Sequence, residues 1–113
     1  MNSVRIPAYV LITPAHNEEA FIEKTIESVV RQTVLPIKWV VVDDGSTDRT
    51  SEIVKRHLSA NPWMALIERP RRSDRSFAGK ADAVNAAYET VRSLEFDVIG
   101  NLDADIFFAE DHF

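Results

Sequence analysis

Two aspartates two positions apart, Asp103 and Asp105, stand at the end of an apolar run, Asp97–Leu102. Carboxylates placed this way can turn toward one ligand where a strand ends. Hard oxygens of this kind suit Mg2+ or Mn2+, with a substrate phosphate completing the coordination shell. A solvated turn capped by Asp103 accounts for the same residues, and the pair alone does not decide between the two. A second acid pair, Asp43-Asp44, precedes Gly45-Ser46 after another apolar run. Gly45 permits a positive φ, and Ser46 to Asp48 can cap the next helix. Two adjacent acids are more than a turn requires, and one carboxylate could accept a hydrogen bond from a base N–H.

Pro14, Ala15, His16, Asn17 and Glu18 make a turn into a helix. Asn17 is a plausible N-cap, and Glu18 in a first turn is favoured by the helix dipole. The same helix start offers N–H groups to an anion. A histidine placed like His16 is more often a surface or packing residue than a catalyst. No Ser or Cys nucleophile motif accompanies it, which argues against a hydrolase triad. The segment Glu68–Lys80 (ERPRRSDRSFAGK) holds five basic residues and two acids, and it could neutralise a diphosphate or simply be solvated. Lys80 opens a helical pattern, where a cation opposes the dipole, and that points toward a phosphate partner. Gly79 precedes it, but the glycine spacing of a Walker A loop is missing, as is any GxGxxG.

Four apolar runs must position these groups: Tyr9–Thr13, Lys38–Asp43, Met64–Glu68 and Asp97–Leu102. The first, second and fourth are nearly continuous, as in Val10-Leu11-Ile12 and Val40-Val41-Val42. Continuous β-branched runs predict strands covered on both faces, as in a parallel sheet. Between them lie helical stripes. Ile22, Ile26, Val29, Val30 and Thr33 form one, Ile53, Val54, His57 and Leu58 a second, and Ala81, Val84, Ala87, Tyr88 and Val91 a third. The order β-α-β-α-β-α-β predicts an α/β fold, Rossmann-like, with a mainly parallel sheet and helices on both faces. In such sheets ligands bind beyond the carboxyl ends of the strands. All four polar clusters follow strands, so they would share one edge.

The composition is compatible with one ordinary globular core. The chain has 113 residues, 45% of them hydrophobic, with 13 Lys+Arg against 18 Asp+Glu and a net charge of -5. That is too apolar for a disordered tail. There is no cysteine, which excludes a disulfide framework and a cysteine zinc cluster. No apolar run nears the ~20 residues of a membrane helix, and no signal segment opens the chain. Net negative charge argues against nucleic acid as a partner.

Taken together, the chain resembles the front half of an inverting family 2 glycosyltransferase of the GT-A (nucleotide-diphospho-sugar transferase) fold. The pieces are VLITPAHNEEAFIEKTIESVVRQT, WVVVDDGSTDRTSEIV, GKADAVNAA and NLDAD, in the family's order and spacing, from about Tyr9 to Asp105. The ordered set is specific where each piece alone is not. The resemblance implies a nucleoside diphosphate sugar as donor, with a UDP-sugar favoured and a GDP-sugar possible, and Mn2+ or Mg2+ as cofactor. Carried over by residue, it implies that Pro14, Ala15, His16, Asn17 and Glu18 form the first nucleotide-contacting loop. The family often carries Tyr where His16 stands. Asp44 matches the acid that reads the base, with Val42 beside it, and Lys80 matches the element near the diphosphate. Asp103 and Asp105 match the DxD, with Ala104 between them in the donor site. Asp105 is the firmer metal ligand by this resemblance, and Asp103 touches donor sugar or ribose.

The resemblance also implies what should lie elsewhere. An inverting transferase needs a general base for the acceptor hydroxyl. In the family that base lies well beyond the DxD, and Glu110 and Asp111 are too close to match it. The expectation is therefore that residues 1–113 form an N-terminal donor-binding part without the acceptor part, with little or no transferase activity alone. The expected acceptor is a glycan or a lipid-linked group. Ile106-Phe107-Phe108 follows the DxD instead of Leu-Gln-His-Pro, so a dolichol-type acceptor is not supported. A cytoplasmic location is expected, with the parent protein at the cytoplasmic face of a membrane as one possibility. Exposed apolar surface is expected near Ile106, Phe107, Phe108 and Phe113. The rival readings are an inactive nucleotide-sugar-binding module and a nucleotidyltransferase of related fold, which would want a Gly-rich basic loop where PAHNEE stands. A phosphoacceptor receiver domain would need its acids after strands one and three.

Overall fold

The computed structural model describes residues 8–70 and 77–102; of residues 77–81 and 101 it describes the backbone. Strand β1 (Tyr9–Ala15) leads through helix α1 (Ile22–Val30) to β2 (Lys38–Asp44). Helix α2 (Thr50–Leu58) joins β2 to β3 (Met64–Arg69), and α3 (Phe77–Val91) joins β3 to β4 (Val98–Asn101). The strands form one sheet in the order β3-β2-β1-β4, and every neighbouring pair is parallel.

Side-chain alternation along the strands divides the core in two. Leu11, Ala15, Trp39, Val41 and Met64 face one side, where they meet Ile22, Ile26 and Val29 of α1 and Ile53 and Val54 of α2. Val10, Ile12, Val40 and Val42 face the other side, under Ala83, Ala87 and Val91 of α3. The uninterrupted runs in β1 and β2 thus reflect helices on both faces. Alanines four apart on α3 let that helix lie close to the sheet. Within the core, the buried Trp39 indole N–H donates to the Thr13 hydroxyl at 2.9 Å. Trp63 stacks on Trp39 with ring centroids 6.4 Å apart.

Several element boundaries differ from the sequence pattern: β2 and β3 each run one residue further, to Asp44 and Arg69, and β4 ends at Asn101, before Leu102. Strand β1 continues past Thr13, because Pro14 and Ala15 stay in register with Val42 and Asp43 of β2. The described β1–β4 pairing ends at Ile12 opposite Asn101, so Pro14 lies beyond it, where a missing N–H is tolerated. Helix α1 stops at Val30 and does not include Thr33. Its end is tightened by a Gln32 N–H to Val29 carbonyl bond of 3.1 Å, and the buried Gln32 amide donates back to the Ser28 carbonyl at 2.9 Å. Asp97 lies just before β4, where its carboxylate accepts the Ala8 N–H at 2.8 Å.

The connectivity has one reversal. From β1 the chain steps to β2 and β3, then crosses back over β2 and β1 to place β4 on the far side of β1. The reversal lies between β1 and β4, and parallel sheets bind ligands beyond the carboxyl ends of their strands at such a switch. Strand β4 leaves Val98 and Ile99 exposed at 55% and 37%. The apolar residues Ile106, Phe107, Phe108 and Phe113 lie outside the described residues, as do Glu110 and Asp111. Among the described residues no helix is long and apolar enough to cross a membrane.

Candidate functional site

Two loops meet at the carboxyl edge, one after β1 and one after β2. Three successive N–H groups of the first donate to side chains of the second. The Asn17 N–H reaches the Ser46 hydroxyl at 2.9 Å, the Glu18 N–H reaches the Thr50 hydroxyl at 2.8 Å, and the Glu19 N–H reaches the Asp48 carboxylate at 3.1 Å. In return, the Thr47 N–H donates to the Asn17 side-chain oxygen at 2.8 Å. Asn17 adopts φ 53° to do this, a left-handed conformation that Asn tolerates better than most residues.

This arrangement corrects two local readings of the sequence. Asn17 is not the cap of α1. The helix begins at Ile22 after Phe21, which makes no side-chain cap, and the Glu18 carbonyl accepts the Phe21 and Ile22 N–H groups at 2.9 and 2.8 Å. A partner thirty residues away outcompetes the local helix end for the Asn17 amide. The N–H groups of Asn17, Glu18 and Glu19 are likewise committed to the second loop rather than to an anion. Ser46, read as a helix cap, holds Asn17 instead. Asp48 does serve the start of α2, accepting the Thr50 N–H at 2.9 Å and bonding its hydroxyl. Burial raises the Asp48 carboxyl, but bonds from the Thr50 hydroxyl, Thr50 N–H and Glu19 N–H outweigh it and hold the group below its ordinary value.

The acid pair is divided by strand alternation. Asp43 shares its face with Trp39 and Val41, and its carboxylate accepts the Ser46 N–H at 3.1 Å, closing the turn in which Gly45 takes φ 70°. Asp44 shares the α3 face with Val40 and Val42 and is 3% exposed. Its main-chain carbonyl lies 2.8 Å from Nδ1 of His16. Directly opposite Asp44 on β3 stands Arg69, whose Nη1 is buried and without a hydrogen-bond partner among the described residues. An orphaned buried guanidinium nitrogen is costly unless a further group reaches it. Sequence reasoning counted Arg69 only within the basic segment. Its signal was the strand register, which sets it beside Asp44.

The remaining residues singled out from the sequence fall as follows. Ala15 and Val42 are buried core side chains, so a ligand would meet them through the backbone. Pro14, near the end of β1, is half-buried; on the loop that follows, His16 and Glu18 are half-buried and Asn17 is exposed. Lys80 lies in the first turns of α3, its side chain outside the described residues. Asp103, Ala104 and Asp105 lie outside the described residues. Leu102, immediately before them, is buried, and its N–H donates to the Ile12 carbonyl at 3.0 Å, so the chain leaves β4 at the same edge. Among the described residues no three His, Asp or Glu side chains form a metal cluster.

A family model, that of glycosyl transferase family 2, matches residues 10–113. The chain belongs to glycosyl transferase family 2. It is 31% identical over 107 residues to chondroitin synthase of Pasteurella multocida, covering 95% of this chain and 10% of that protein. A mannosyltransferase from Pyrobaculum calidifontis, solved with GDP-Man and Mn2+, superposes with a TM-score of 0.70 at 30% identity, covering 93% of this chain and 29% of that one. Residues 1–349 of S. aureus TarS, solved in complex with UDP, give a TM-score of 0.74 at 25% identity, covering 90% of this chain and 28% of that fragment. The fold is the GT-A-like α/β fold of these proteins. The chain spans about a tenth of the length of the synthase and less than a third of the two solved structures.

Proposed function

We propose that residues 1–113 are the donor-binding part of a glycosyltransferase that moves a sugar, with inversion, from a nucleoside diphosphate sugar to a glycan or lipid-linked acceptor. The observation that carries this reading is the pair at the end of β2 and β3. A buried carboxylate, Asp44, stands in register with an arginine that has a buried nitrogen without a partner among the described residues. Together they offer an acceptor and a donor side by side. The Watson–Crick edge of uracil has a ring N–H flanked by carbonyl oxygens, so Asp44 would accept that N–H and Arg69 would donate to a neighbouring oxygen. Guanine also presents a carbonyl next to ring and amino N–H groups, which leaves a GDP-sugar as a second donor. The UDP-bound and GDP-Man-bound relatives support this class of ligand.

Family membership, and the Mn2+ held by the mannosyltransferase, support a divalent metal for this chain too. Asp105, with Asp103, would hold Mn2+ or Mg2+, both hard cations matched to carboxylate oxygens. Bound there, the ion would stabilise negative charge on the departing diphosphate. Lys80 would add a positive charge near the same phosphates, and the buried position of Asp44 would exclude water from the base contact. The general base that deprotonates the acceptor would come from outside these residues.

The base contact has a direct test. UDP methylated at the ring nitrogen (N3-methyl-UDP) removes the N–H that Asp44 would accept. Calorimetric titration should show binding weakened by about tenfold or more relative to UDP. It should also show the two ligands becoming equal in Asp44→Ala. Equal affinity of the unaltered chain for both ligands would contradict the role given to Asp44.

A further inference from the structure

We propose that His16 is a positioning residue for Asp44, locked in the Nδ1–H tautomer between the two loops; the proposal deepens the donor-site reading and rests on it. A carbonyl oxygen only accepts hydrogen bonds, so the 2.8 Å contact from His16 Nδ1 to the Asp44 carbonyl requires the proton on Nδ1. The other ring nitrogen is fixed independently. Asn17 has its side-chain oxygen engaged by the Thr47 N–H at 2.8 Å and the Thr47 hydroxyl at 3.3 Å. That leaves its NH2 end toward His16, where Nδ2 lies 3.3 Å from Nε2. An NH2 group only donates, so Nε2 must be the bare acceptor nitrogen.

The two assignments agree on one neutral ring. They also close a circuit. The Thr47 N–H donates to Asn17, Asn17 donates to His16, and His16 donates to Asp44, which lies three residues before Thr47 on the same turn. Each link polarises the next in the same direction. The circuit holds the main chain of Asp44 at its carbonyl, and through the main chain the ring sets the angle at which the carboxylate leaves β2. A tyrosine carries its one polar atom at the far tip of a longer ring, well beyond the position of Nδ1, so it cannot place a donor where His16 meets the Asp44 carbonyl. The circuit therefore belongs to the histidine at this position.

Two replacements separate this role from simple packing. Asparagine places an N–H close to the position of Nδ1, whereas glutamine reaches the position of Nε2. In the unliganded chain, 15N NMR of the imidazole should show Nδ1 protonated and Nε2 bare. UDP binding should weaken about tenfold in His16→Gln and in His16→Ala, and stay within about threefold in His16→Asn, with circular dichroism unchanged in all three. In an Asp44→Ala background His16→Gln should have no further effect, since its action runs through Asp44. An Nε2-protonated ring, or equal affinities for His16→Asn and His16→Gln, would overturn the proposal. Failure of the unaltered chain to bind UDP would count against the donor-site reading instead, and the ring spectrum would still decide the tautomer.

Discussion

Asp43, Asp44 and Asp48 lie within six positions and do three different things, because each side chain meets a different partner. Asp43 closes its own turn, Asp44 faces the α3 side opposite Arg69, and Asp48 joins both loops. The Asp48 carboxyl is held below its ordinary value, so the folded chain favours its ionised form. A depressed folded-state value contributes stability above the unfolded value and loses it as pH falls. The difference in urea-unfolding stability between the unaltered chain and Asp48→Asn should be full above about pH 4. It should then shrink as pH drops through the lowered folded value. Much of this residue detail was legible. The positive φ of Gly45, the capping by Asp48 and the excess acid in Asp43-Asp44 all follow from local chemistry. The role of Asn17 was not, since its partners are Ser46 and Thr47, and a local pattern cannot show which distant group wins an amide. Arg69 was obscured for a related reason, because register exists only once strands pair.

Loop-to-loop bonding is the contribution of the elements. Helices α1 and α2 lie side by side on one face, and the loops that start them are tied by the bonds of Asn17, Glu18 and Glu19. Thr50 is fully buried at the first position of α2, and its hydroxyl accepts the Glu18 N–H. Thr50→Val keeps the shape of the side chain and removes the acceptor. It should cost about 1–3 kcal/mol in denaturant unfolding, because the N–H is left without its partner. It should also increase hydrogen exchange at the Glu18 amide. Unchanged exchange there would show that the two loops are not coupled. Element type was readable from periodicity: the β-branched runs became strands, and Ile22-Ile26-Val29 became a buried helix face. On α3 the buried face is Ala83-Ala87-Val91, so the expected stripe held for Ala87 and Val91, while Val84 is only partly buried, Tyr88 is exposed and Ala83 was not in it. The ends were less readable. Pairing with β2 carries β1 through Pro14 and Ala15, and a tightened last turn ends α1 before Thr33.

At the scale of the molecule, the strand order makes the site. The order β3-β2-β1-β4 puts the loops after β1 and β2 beside the end of β4, from which the chain continues into Asp103 and Asp105. That polar clusters gather at carboxyl ends was visible in the alternation of runs and stripes. The reversal across β1 was not, since crossover connections of either direction carry similar sequence patterns. The central claim is that this edge binds a nucleoside diphosphate with a metal held by the acid pair. Calorimetric titration of the full chain with UDP and GDP, with Mn2+ and then with chelator, tests it most directly. The account predicts saturable binding of at least one of the two with Mn2+, lost with chelator and lost in Asp105→Ala. Binding that is indifferent to metal, or no binding by a chain shown to be folded, would contradict it.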